Sequence, residues 1–140
     1  MKSLGTLSVI VPAYNEEERL GATLSAILEW THKNLGGAEI LVVDDGSSDG
    51  TARVAQSFAD DVLLVKNGTN RGKGFSVKNG VANASGDTIL FSDADLSTPI
   101  EETTKLAAAL EHADIAIGSR GLAESNIVRH QPLYREAMGR

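Results

Sequence analysis

Short apolar runs of strand type alternate with helix-spaced stretches along nearly the whole chain, and this alternation limits the possible folds more than any other feature. The runs are Leu7–Val11, closed by Pro12, then Ile40–Val43, Val62–Val65, Thr88–Phe91 and Ile115–Ile117. Between the first two, Leu20, Leu24, Ile27 and Leu28 fall on one helical face, with Asn15 as N-cap and Glu18 three residues on, the pattern of a capping box. Asp49 or Ser48 starts a second helix carrying Val54 and Phe58. Residues 72–84 form a third, with Phe75, Lys78, Asn79 and Ala82 on one side. Thr98-Pro99-Ile100-Glu101 opens a fourth, continued by Leu106 and Leu110. Five strands alternating with helices predict an α/β fold with a mostly parallel central sheet covered on both faces.

In such sheets ligands bind beyond the carboxyl ends of the strands, near a switch point in strand order. The residues following each run are Pro12-Ala13-Tyr14-Asn15-Glu16, Asp44-Asp45-Gly46-Ser47, Asn67-Gly68, Ser92-Asp93-Ala94-Asp95 and Gly118-Ser119-Arg120. Polar and glycine residues gather at nearly every one of these positions, which marks this end of the sheet as the site.

Composition narrows the partners. The net charge is −6 over 140 residues, which argues against general nucleic-acid binding. The charge is uneven: residues 120–140 carry Arg120, Arg129, Arg135 and Arg140 against Glu124 and Glu136, and Lys66, Arg71, Lys73 and Lys78 lie in an acid-free stretch. Local basic patches on an acidic protein suit a phosphorylated small molecule; each patch read alone is equally a solvated face. There is no Cys, hence no disulfide or thiolate metal site, in keeping with a reducing compartment. No run approaches the roughly 20 apolar residues of a spanning helix, and the N-terminal residues do not read as a signal peptide. The expectation is a cytoplasmic protein that meets a membrane peripherally.

Asp93-Ala94-Asp95 follows a strand, and two carboxylates so spaced can share a hard divalent cation, Mg²⁺ or Mn²⁺, that bridges to phosphate. The competing reading is a surface turn in which Asp95 caps the following residues. Asp44-Asp45-Gly46-Ser47-Ser48-Asp49-Gly50 reads as a turn and helix cap, or as a nucleobase site in which a carboxylate accepts the imide N–H of uracil, with Tyr14 stacked on the base or merely covering the sheet edge. Asn70-Arg71-Gly72-Lys73-Gly74 is not a phosphate-binding P-loop, because its glycine spacing is wrong and Lys73 precedes Gly rather than Ser or Thr. No G-x-G-x-x-G follows the first strand.

Taken together, Val9–Glu17, Val42–Thr51, Asn70–Gly74, Asp93–Pro99 and Gly118-Ser119-Arg120 resemble the family-2 inverting glycosyltransferases with the GT-A fold, a Rossmann-like three-layer architecture. Within that family the chain looks most similar to the dolichyl- or polyprenyl-phosphate glucosyltransferases and mannose synthases. The resemblance implies that Pro12, Ala13, Tyr14, Glu16, Asp44, Asp45, Gly72, Lys73, Asp93 and Ala94 bind the nucleotide-sugar donor, with Asp45 on the base. It implies that Asp93 and Asp95 hold Mg²⁺ or Mn²⁺ on the diphosphate, and that Asp95, Arg120 and Arg135 serve the reaction, the arginines on the acceptor side. Residues 1–119 then form the donor-binding core and 120–140 begin an acceptor-side segment. Catalytic domains of this family run past residue 140, so the chain is expected to be a piece of such a domain or a minimal form completed by oligomerisation.

The resemblance implies transfer of glucose or mannose from a UDP- or GDP-sugar to a polyprenyl or dolichyl phosphate at a membrane surface, with inversion. Two rivals stand beside it. A nucleotidyltransferase would carry a glycine-rich basic loop after its first strand, and Pro12–Glu16 has neither Gly nor a base. A non-catalytic nucleotide-binding module would bind the donor and yield no product.

Overall fold

The structure, a computed structural model, describes residues 4–119. Arg120, Arg135 and the expected acceptor-side segment 120–140 lie outside the described residues. Four strands, β1 (Leu7–Ala13), β2 (Glu39–Asp44), β3 (Val62–Lys66) and β4 (Thr88–Phe91), form one all-parallel sheet in the order β3-β2-β1-β4. Helices α1 (Leu20–Leu35), α2 (Thr51–Gln56) and α3 (Lys73–Asn83) are the connections. A 3-10 turn at Ile100–Glu102 leads into α4 (Thr103–Ala109).

While Leu63 on β3 and Ile89 and Phe91 on β4 stay exposed, the central strands β1 and β2 are buried on both faces. On one, Val9, Val11, Ile40 and Val42 meet Leu20, Leu24 and Ile27 of α1, with Leu28 at the margin and Ala55 and Ile100 beside them. On the other, Ile10, Leu41 and Val43 form a smaller core beneath α3. This is why β1 and β2 read as unbroken apolar runs. Each fully buried Val, Leu or Ile contributes about 1.5–3 kcal/mol relative to exposure.

Helix α3 buries Ser76 and Gly80. Gly72, Ser76 and Gly80 recur every four residues, and this strip of small groups lets the helix approach the strands. A Cβ on Gly80 would run into the Ile10 side chain and lie 3.2 Å from a Val43 methyl.

Four further expectations are corrected. First, β1 continues through Pro12 to Ala13. The Ile10 carbonyl accepts from Ser92 N on the β4 side and the Ala13 carbonyl accepts from Asp45 N on the β2 side. The nitrogen of Pro12 therefore faces the β4 side, beyond the last pair of that ladder (Ile10 with Phe91), where no donor is needed. Second, Asn15 does not cap α1, which starts only at Leu20 without a side-chain cap. Asn15 instead takes φ 51° and its side-chain oxygen accepts from Ser48 N at 2.9 Å. Third, the Thr98–Glu101 start is a 3-10 turn with no side-chain cap, and α4 follows it. Fourth, Ile115–Ile117 is not a strand. Both isoleucines are 81% exposed, and no neighbouring strand among the described residues satisfies their backbone.

Candidate active site

The order β3-β2-β1-β4 reverses at β1: successive strands step away from it on one side, and β4 lies on the other. A crevice opens at that switch point, beyond the carboxyl ends. The cavity there, about 240 Å³, is lined by Pro12, Ala13, Tyr14 and Glu16 after β1, Asp45 after β2, Lys73 and Ser76 at the start of α3, and Asp93, Ala94 and Asp95 after β4. Eight of the ten residues expected to contact the donor thus share one cavity. Asp44 and Gly72 stand just outside its lining: Asp44 is buried and accepts from Ser47 N at 3.1 Å, and the N–H of Gly72 is spent on Asp45.

The loop after β1 is stitched to the loop after β2. Asn15 N donates to Ser47 Oγ at 3.0 Å and Glu16 N to Thr51 Oγ1 at 2.8 Å. Asp49 accepts from Thr51 N at 2.9 Å and from the Thr51 hydroxyl, but the N-cap of α2 is Gly50, without a side-chain cap. Gly46 has φ 74°, and a Cβ there would sit 2.6 Å from Asn70 N, so glycine alone lets the 69–70 backbone cross it. Tyr14, 49% exposed, stands at the cavity mouth as a flat apolar face.

Asp45 is buried and heavily bonded. Its carboxylate accepts from Asn67 Nδ2 at 2.8 Å, Arg71 N at 2.8 Å and Gly72 N at 2.9 Å. Burial pushes its pKa up, but hydrogen bonds from Asn67, the Arg71 and Gly72 amides and Ser76 outweigh that, and the carboxyl titrates below its ordinary range. Sequence reasoning placed Asn67 at the end of its strand but gave it no role, and it missed Ser76 and the bonding of Asn79. Asn67 Nδ2 also donates to Ser76 Oγ at 2.9 Å, and Asn79 Nδ2 donates to Asn67 Oδ1 at 2.8 Å. The only sequence signal was the four-residue spacing of Gly72, Ser76 and Gly80; nothing local in sequence ties Asn67 to Asp45.

The turn after β4 is held from below. Thr23 of α1, buried, donates its hydroxyl to the Ala94 carbonyl at 2.6 Å, between the two aspartates. Ser97 N donates to Asp95 Oδ1 at 3.0 Å, and Leu96 sits at φ 47°, a left-handed conformation costly for a leucine. The chain bends sharply here and both Asp93 and Asp95 line the cavity. Lys73 Nζ forms an ion pair with Asp93 Oδ1. No group of three or more His, Cys, Asp or Glu forms a metal cage among the described residues. The protein thus offers two hard carboxylate ligands on an open wall, with a cation already drawn to one of them. That donor set fits magnesium or manganese, which keep water and phosphate oxygens in the remaining positions.

A Rossmann-like parallel sheet with its crevice at the switch point and an Asp-x-Asp turn in that crevice defines the GT-A class of fold. Residues 8–139 match the family model Glycosyl transferase family 2, and the chain belongs to that family. It is 38% identical over 146 residues to dolichyl-phosphate beta-glucosyltransferase of Drosophila melanogaster, covering 92% of this chain and 45% of that protein. It is 37% identical over 139 residues to dolichol-phosphate mannosyltransferase of Pyrococcus furiosus, covering 96% of this chain and 38% of that protein. The chain therefore spans less than half the length of these curated relatives. Among solved structures, a mannosyltransferase from Pyrobaculum calidifontis in complex with GDP-Man and Mn²⁺ matches with a TM-score of 0.64 and 25% identity, covering 81% of this chain and 34% of that one. Glucosyl-3-phosphoglycerate synthase from Mycobacterium tuberculosis, in complex with Mn²⁺, UDP and phosphoglyceric acid, matches with a TM-score of 0.63 and 27% identity, covering 81% and 41%.

Proposed function

We propose that this chain is the donor-binding part of an inverting, metal-dependent glycosyltransferase that moves glucose or mannose from a UDP- or GDP-sugar to a polyprenyl or dolichyl phosphate at a membrane surface. The observation that carries the donor half is the cavity itself. Glu16, Asp45, Asp93 and Asp95 line it against the single ammonium of Lys73 among its described lining residues. A diphosphate would be repelled from such a wall unless a divalent cation came with it, and Asp93 and Asp95 are the residues that would hold that cation. When bound, it neutralises charge on the departing diphosphate. Tyr14 offers its ring to the base, and the Asp45 carboxylate shapes the loop beneath it. The acceptor half is supported by the relatives, which are named for transfer to dolichyl phosphate.

A phosphate monoester is largely dianionic at neutral pH, its second pKa lying near 6, and needs no general base to act as nucleophile. Its oxygen attacks the anomeric carbon opposite the diphosphate, the bond to the diphosphate oxygen breaks, and the configuration inverts. Arg120 and Arg135 are the proposed neutralisers of the acceptor phosphate. No helix among the described residues is long and apolar enough to cross a membrane, and the proposed encounter with lipid is peripheral, on the cytoplasmic side. Calorimetry with UDP and GDP, with Mn²⁺ or EDTA, tests the donor half. Binding should need the metal and be lost in Asp95→Ala; affinity unchanged by both would defeat it. Product analysis with polyprenyl phosphate and UDP-glucose or GDP-mannose then separates an enzyme from a binding module.

A further inference from the structure

The ion pair between Lys73 and Asp93 poses a conflict, because both side chains line the cavity and the carboxylate is wanted by two cations. Asp95 spends Oδ1 on Ser97 N, which leaves Asp93 as the aspartate of the pair neutralised by a side-chain cation. Lys73 and Asp93 are 57% and 45% exposed, so parting them strands no buried charge. The ammonium also stands 5.9 Å from the ring of Phe91, which is itself half exposed. Lys73 is the first residue of α3, an eleven-residue helix without a side-chain cap, whose first N–H groups have no partner within the helix. An ammonium and a divalent ion on the same carboxylate would repel each other strongly. Lys73 must leave Asp93 before a metal settles there, and an anion beside the metal is what can rehouse it.

We propose that Lys73 is a placeholder for the divalent cation: it neutralises Asp93 in the donor-free protein and passes to the donor's diphosphate when metal and donor enter together. This rests on the donor-site reading above. It makes metal and nucleotide binding mutually dependent, because each is disfavoured until the other is present. It also gives Lys73 opposite effects on the two ligands, which a plain phosphate-binding lysine would not have.

The test measures free Mn²⁺ by electron paramagnetic resonance, and UDP or GDP by calorimetry at saturating Mn²⁺, for the wild-type chain, Lys73→Met, Lys73→Gln and Lys78→Met. Lys78 is exposed on the same helix and outside the cavity, so it controls for the loss of one positive charge. Both Lys73 variants should bind Mn²⁺ alone about fivefold more tightly than wild type, the worth of an exposed ion pair. They should bind nucleotide more weakly, while Lys78→Met changes neither. Mn²⁺ affinity that is unchanged or lower in the Lys73 variants, or raised equally by Lys78→Met, overturns the proposal, as does a chain that binds no Mn²⁺ at all. If the Lys73 variants tighten Mn²⁺ but no chain binds UDP or GDP, the donor-site reading fails and the transfer of Lys73 to a diphosphate fails with it, while its pairing with the metal-binding carboxylate stands.

Discussion

The side-chain amide of Asn67 lies 2.8 Å from Asp45 Oδ1 and, through the same nitrogen, 2.9 Å from Ser76 Oγ. This one contact joins the ends of β2 and β3 to the first turn of α3. Asp45 completes the junction by holding the Arg71 and Gly72 amides, so the loop that delivers Lys73 hangs on a single buried carboxylate.

Asp45→Asn should therefore cost fold stability as well as donor affinity. An amide has one acceptor oxygen where the carboxylate has two, and its NH₂ would face a backbone N–H. The expected loss is about 1.5–3 kcal/mol of unfolding free energy, the range for hydrogen bonds to a charged group. Urea unfolding measures it, and an unchanged midpoint would show that the Arg71–Gly72 loop does not depend on Asp45.

The depressed pKa of Asp45 fixes the sign of its pH dependence. Folding favours the ionised form, so its contribution is complete above the ordinary value of 3.8 and is lost as pH falls through the lower folded value. The denaturant midpoint should drop between about pH 5 and about pH 2. Part of that drop should vanish in Asp45→Asn, while Glu39, Asp49 and Asp87, also depressed by hydrogen bonds, supply the remainder. Equal acid slopes in wild type and variant would exclude Asp45 as a contributor.

Thr23→Val keeps shape but removes the hydroxyl that holds the Ala94 carbonyl. A buried carbonyl left without its donor costs about 1–3 kcal/mol. Because that carbonyl lies between Asp93 and Asp95, metal-dependent UDP or GDP affinity should fall several-fold although Thr23 does not line the cavity. Calorimetry alongside thermal melting separates the two effects; a stable variant with wild-type affinity would remove Thr23 from the site.

Gly80→Ala should destabilise the chain, since its new methyl meets Ile10 in the smaller core. Ile10→Ala should destabilise it too, by about 2–5 kcal/mol. Together they should cost less than the sum, because the space vacated by one accepts the methyl of the other. Additive losses in a double-mutant cycle would mean that α3 does not rest on Ile10.

What the sequence by itself determined was the periodic and the local. The unbroken apolar runs of β1 and β2 meant strands buried on both faces; Leu20, Leu24 and Ile27 on one helical face meant α1 against them; the polar residues after each run marked the end of the sheet where Tyr14, Asp45, Lys73, Asp93 and Asp95 meet. Those inferences succeed because burial and backbone geometry act within a few residues. The tertiary structure alone decided what depends on residues far apart in the chain. Pro12 sits inside β1 only because β4 ends beside it, and Ile115–Ile117 has the composition of a strand but no partner among the described residues. Asn15 accepts from Ser48 in the loop after β2 instead of capping α1. Asp45 accepts from Asn67 and the Arg71–Gly72 amides because strand order sets β2 beside β3. A side chain's hydrogen bonds follow from which neighbours the fold supplies, and the order of strands in a sheet is not written in the spacing of any one of them.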